Sequence, residues 1–159
     1  MAAVISKGLR MSSDFLVLST TLVVLAVTSA CSREDRVRID PTNAAQVASG
    51  KVVYEQSCAS CHGVNLEGQP NWRERMPNGR LPAPPHDETG HTWHHPDDML
   101  FGITKVGLVP PYAPAGYESD MPAFGSRLAD EQIRDVLAYI ASRWPPRVHE
   151  MRARQKSGS

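Results

Sequence analysis

Cys58-Ala59-Ser60-Cys61-His62 decides how the rest of the chain is read. Two cysteines separated by two residues and followed at once by histidine have the spacing of a c-type haem attachment site. Each thiol adds across one vinyl group of the porphyrin and forms a thioether. On a helical turn, positions i, i+3 and i+4 share a face. That sets both sulfurs along one porphyrin edge and brings the His62 imidazole to the iron. A redox dithiol or half of a zinc site uses the same cysteine pair. Zinc needs a second ligand pair, however, and the chain holds only 3 cysteines.

The chain has 159 residues, enough for one domain and a targeting segment. Lys+Arg and Asp+Glu are both 17, so the formal charge is zero and no nucleic-acid surface is indicated. Aromatic residues are 6%, against 11 glycines and 13 prolines. A chain this rich in loops has a modest core of its own, and a buried haem supplies much of the missing apolar surface.

Residues 1–30 read as an export signal. Lys7 and Arg10 form a positive start, residues 15–27 are apolar or small, and Thr28-Ser29-Ala30 precede Cys31. The run is short for a membrane span, which needs about 20 apolar residues; an uncleaved anchor helix is the competing reading. Without residues 1–30 the chain carries 15 basic and 16 acidic residues, since Lys7, Arg10 and Asp14 leave with them. A cysteine placed directly after such a run resembles the bacterial lipoprotein cleavage site, where the thiol is acylated; Thr28 departs from the usual leucine. Otherwise Cys31 is a free thiol, a liability in an exported protein. Dual acylation would hold the domain stably at a membrane, because one chain binds only marginally. With Cys31 given to lipid and Cys58 and Cys61 to haem, none is left for a disulfide.

Residues 31–43 read as a tether, charged over 32–40 and without apolar periodicity. The spacing predicts a first helix over 42–57, capped by Thr42 or Asn43. Gly50 weakens it but lets another helix cross closely. The prolines at 70, 77, 82, 84 and 85 forbid regular structure after His62. A backbone carbonyl there is expected to accept the His62 Nδ1 proton and leave Nε2 for iron. Pro70 and the stretch 82–85 are both candidates.

His86-Asp87-Glu88-Thr89-Gly90-His91-Thr92-Trp93-His94-His95 admits two readings. One is a loop at the haem edge, with the Trp93 indole N–H donating to a propionate. The other is a copper-handling loop spanning 86–99 with Met99; His-rich tracts are compositional signals only. Residues 96–106 read as a helix with Asp97 and Asp98 in its first turn, ended by Gly107.

Residues 108–127 form a second loop stretch containing Met121-Pro122-Ala123-Phe124-Gly125. Proline and glycine exclude a helical core role for this methionine. A thioether on a stiff loop suits the sixth position of iron opposite imidazole, a pairing that raises the potential. Met76, also before a proline, is the rival to Met121. The last helix is expected over 130–143, capped by Asp130, with Ile133, Val136, Leu137, Ile140 and Trp144 on one face. Pro145 and Pro146 stop it, and residues 147–159 read as a basic flexible tail.

Taken together, Cys58, Cys61 and His62, the Met121–Gly125 loop, and the terminal helix with Gly50, Tyr54 and Tyr139 resemble the class I cytochromes c. The resemblance is nearest to small bacterial mono-haem domains and covers roughly residues 44–145. It implies an all-α fold over 44–146 in which the N- and C-terminal helices cross and loops wrap one covalent haem c. His62 and Met121 are then the axial ligands. It also implies electron transfer without turnover of a small-molecule substrate. Redox partners are expected to dock at the haem edge, and the leader with Cys31 separately predicts export and an anchor on the periplasmic side of a bacterial membrane. An open sixth position would instead make a haem enzyme or a ligand sensor.

Overall fold

Asn43 starts the first helix. Its side chain accepts hydrogen bonds from the backbone N–H groups of Ala45 and Gln46, each at 3.1 Å, which satisfies two of the donors that a helix start leaves unpaired. The computed structural model describes residues 38–157, and among them the chain is helical, without a strand. The elements are α1 (Ala44–Ser57), the single turn α2 (Ala59–His62), a 3-10 turn (Thr92–His94), α3 (Asp97–Val106), α4 (Asp130–Ser142) and α5 (Pro146–Ser157). The leader 1–30 and Cys31 lie outside the described residues. Among those described, no helix is long and apolar enough to cross a membrane.

The α4 stripe behaves as its spacing predicts. Ile133, Val136, Leu137, Ile140 and Trp144 are all buried, and Val53, Tyr54, Leu66, Leu100 and Val148 complete the core around them. The main packing is α1 across α4, and Gly50 is the crossing point. A Cβ at Gly50 would lie 1.9 Å from the Asp135 carbonyl oxygen and 2.9 Å from Tyr139 Cβ, so only hydrogen fits there. Beside it, Ser49 Oγ donates to Asp135 Oδ2 at 2.6 Å. This bond gives the buried carboxylate a partner from the facing helix.

Three expectations change. The start of α4 is capped from within: Ala129 N–H donates to Gln132 Oε1 at 3.0 Å, while Asp130 pairs with Lys105 Nζ at 2.7 Å instead of capping. The tether does not extend to residue 43. Gln46 Nε2 donates to Arg38 O and Gln46 Oε1 accepts from Asp40 N–H, both at 2.8 Å, so residues 38–43 are fastened to α1. Over the described part of the expected flexible tail, 147–159, helix α5 runs from Pro146 to Ser157. Pro146 ends one helix and opens the next, since a first-turn proline lacks an N–H that the helix would not have used. Arg152, read as one basic residue among several, is buried.

Candidate haem site

The one-turn helix α2 carries the attachment residues. Cys61 and His62 both bond back to the Cys58 carbonyl, at 3.1 and 2.9 Å. This turn brings the two thiols and the imidazole onto one face. Cys58 is half-buried, Cys61 is exposed, and neither is in a disulfide. Burial, aided by Cys61, pushes the Cys58 thiol up to about 11. His62 is buried.

What fixes His62 lies in the proline loop. Its Nδ1–H donates to Pro84 O at 2.8 Å, which decides between the two candidate regions and leaves the Nε2 lone pair for a metal. Pro84 is in reach because two loop segments zip together. Gln69 N–H donates to Ala83 O at 2.9 Å, and His86 and Asp87 N–H both donate to Leu66 O, at 2.8 and 3.2 Å. Gly68 makes the approach possible. It has φ +69°, and a Cβ on it would lie 2.4 Å from Pro85 N. Leu66 adopts φ 70°, unusual for a branched side chain, and holds it with that side chain almost fully buried. Tyr54, completely buried, donates its hydroxyl to Gly63 O at 2.8 Å, tying α1 to the residue after His62.

The structure adds a residue that the motif did not single out. The His86 ring stacks on His62, with centroids 3.9 Å apart and planes 20° from parallel. His86 Nδ1 lies 2.8 Å from Thr92 Oγ1, and its carbonyl accepts the Trp144 indole N–H at 2.8 Å. Burial lowers the basicity of both rings. At His62 the Pro84 hydrogen bond opposes the shift. At His86 the neighbouring His62 and His91 reinforce it, and the imidazole is held well below the ordinary histidine value.

The other histidines of the tract pack against aromatic rings. Trp93 stacks on His94 at 3.6 Å and Trp72 on His91 at 5.4 Å. Among the described residues, no three His, Cys, Asp or Glu side chains could hold a metal ion together. The Trp93 indole N–H donates to Glu88 O at 3.3 Å, within its own loop. Arg152 reaches this loop from α5. It donates to Trp93 O and His95 O at 2.6 and 2.8 Å and bonds Asp97 Oδ1 at 2.5 Å.

Met121 is half-buried on the loop before α4. Behind it, Phe124 and Gly125 N–H donate to Thr104 O and Lys105 O, at 3.0 and 2.9 Å, at the end of α3. Phe124 itself is buried. Ahead of it, Asp120 pairs with Arg80, which also faces Glu118 at 3.6 Å. The thioether is therefore carried on a loop tied on both sides. Met76 sits in a tight turn closed by Gly79 N–H to Met76 O at 2.8 Å.

A face bearing two free thiols beside an imidazole with one nitrogen already engaged suits a covalently attached porphyrin. The comparisons with known proteins agree. The chain belongs to the cytochrome c family, whose model matches residues 47–144. It is 33% identical to the cbb3-type cytochrome c oxidase subunit CcoP of Azospirillum brasilense over 62% of this chain and 29% of that protein. It is 30% identical to the gluconate 2-dehydrogenase cytochrome c subunit of Pantoea cypripedii, over 60% of this chain and 20% of that protein. Cytochrome c6 of Synechococcus elongatus is 31% identical over 60% of this chain and 88% of its own length. The chain thus spans less than a third of the first two relatives. No solved structure gives a significant match. One haem c, held through Cys58 and Cys61, is the cofactor this family membership implies.

Proposed function

We propose that the protein is a one-electron carrier of a bacterial electron-transfer chain. Cys58 and Cys61 would hold the haem covalently, and His62 and Met121 would ligate its iron. The observation that carries this reading is the His62 Nδ1–Pro84 O hydrogen bond of 2.8 Å, which leaves one ring nitrogen for iron beside two free thiols. Haem c supplies a one-electron couple when bound. The chain's own residues supply rigidity. Pro84 fixes the ligand tautomer, and the turn carrying His62 and the loop carrying Met121 are each anchored by backbone hydrogen bonds. Small rearrangement between oxidation states follows from such fixed ligands.

Electrons would leave beside the attachment turn. Ser60, Cys61 and Val64 are exposed there, Val64 at 69%, on a surface suited to the small, transient interfaces of redox encounters. Two relatives are by name subunits of an oxidase and a dehydrogenase, which supports a redox enzyme as donor or acceptor. The leader and Cys31 support export and a lipid anchor on the periplasmic side. The test is expression with export and covalent haem attachment intact. Haem staining should survive denaturing electrophoresis in the wild type and fail when Cys58 and Cys61 are both alanine, and the oxidised protein should accept one electron per chain. Haem that dissociates on denaturation would refute the attachment, and a stoichiometry other than one electron would refute the carrier.

A further inference from the structure

We propose that His86 is a positioning residue for His62: its ring, stacked on the His62 imidazole and pinned by Thr92, sets the plane in which His62 presents Nε2. The inference rests on the reading of His62 as the iron ligand. A hydrogen bond at one ring nitrogen fixes where that nitrogen points. It resists only weakly a tilt of the ring about the axis of the bond itself. The Pro84 carbonyl, 2.8 Å from Nδ1, therefore leaves one motion of His62 poorly restrained. A second ring lying 3.9 Å away and 20° from parallel opposes that motion.

The stacked ring must itself be held, and it is held from three directions. His86 N–H donates to Leu66 O at 2.8 Å, its carbonyl accepts from Trp144 Nε1 at 2.8 Å, and its Nδ1 meets Thr92 Oγ1 at 2.8 Å. The Thr92 hydroxyl also lies 3.4 Å from Pro85 O. When it donates to that carbonyl, its oxygen accepts from His86 Nδ1–H, so one ring orientation is selected. An aliphatic side chain at position 86 would fill space but have no such anchor. The backbone at Pro84 and the side chain at His86 thus restrain the same imidazole in different directions, from one short segment.

The test uses the full chain with haem attached. The readouts are the low-spin g-values and the pattern of haem-methyl proton resonances in the oxidised protein, both sensitive to the axial imidazole plane. His86→Leu should change both. Thr92→Val, which keeps the ring and removes its anchor, should shift them in the same direction by less. His86→Phe, which keeps a flat ring on His62, should lie nearer wild type than His86→Leu. A His86→Leu protein with wild-type g-values and methyl pattern overturns the proposal. If His86→Leu takes up no haem, a Thr92→Val protein indistinguishable from wild type overturns it. A wild-type protein without a low-spin, imidazole-ligated signature removes both this inference and the ligand reading beneath it; a normal wild-type signature with unresponsive variants removes this inference alone.

Discussion

His62 takes its chemical form from a residue 22 positions away. Pro84 O engages Nδ1, and the lone pair of Nε2 follows from that choice of tautomer. The motif makes a carbonyl partner predictable, since a ligating histidine almost always donates its other N–H. It does not identify which proline region provides the partner. That depends on the pairing of 66–69 with 83–87, which no local pattern announces. Arg152 was harder still. Its partners lie 55 to 59 residues away, and in the sequence it is one of several basic residues after a double proline. Its burial gives it a measurable role. Arg152→Met keeps much of the apolar stem and removes the donors to Trp93 O, His95 O and Asp97. The expected loss is about 2 kcal/mol, in the range for hydrogen bonds to a charged group, read as a lower denaturant midpoint. An unchanged midpoint would mean that α5 is not fastened to the 92–97 segment through this residue.

Among the elements, α4 was legible from its apolar period: Ile133, Val136, Leu137 and Ile140 are buried as that spacing requires, although the helix is buried all round over residues 135–141. The α1–α4 crossing was legible for a different reason. Gly50 is a poor helix residue, and a helix retains one where a neighbour comes too close for a side chain. Gly50→Ala should cost about 1–3 kcal/mol through overpacking, because the added methyl meets the backbone of Asp135 rather than a flexible side-chain end. Equilibrium unfolding of the haem-bound protein measures it, and a variant as stable as wild type would place the closest approach elsewhere. The extent of α5 was not legible. Its polar composition gives no strong apolar stripe, and its attachment rests on Val148, Arg152 and their distant partners. The Met121 loop was readable as a loop from its prolines and glycines; its anchorage to α3 and Arg80 was not.

For the whole molecule, the loop histidines set a pH dependence of stability. Partial burial, with His95, His94 and Arg73 nearby, holds His91 below the ordinary value of 6.5, and burial with His94 and Arg152 does the same at His95. The unfolded chain therefore takes up protons before the folded one as the pH falls. The stabilisation is fully present above about 6.5 and declines as the pH drops below that value toward the lowered folded-state values. Urea unfolding of the holoprotein at about pH 7.5 and about pH 5.5 should show a lower midpoint at the acid value, with a smaller drop when His91 and His95 are both asparagine. Equal pH dependence in the two proteins would exclude these groups as its source. Cysteine spacing implies a haem, but Met121 distinguishes a closed carrier from an open site. The most direct measurement is the absorption spectrum of the oxidised, full-length protein beside its Met121→Ala variant. With Met121 on the iron, a weak band at the red end of the visible range is expected in the wild type, lost on reduction and absent from the variant. A wild type without that band, or a Met121→Ala protein that retains it, would exclude Met121 as an iron ligand.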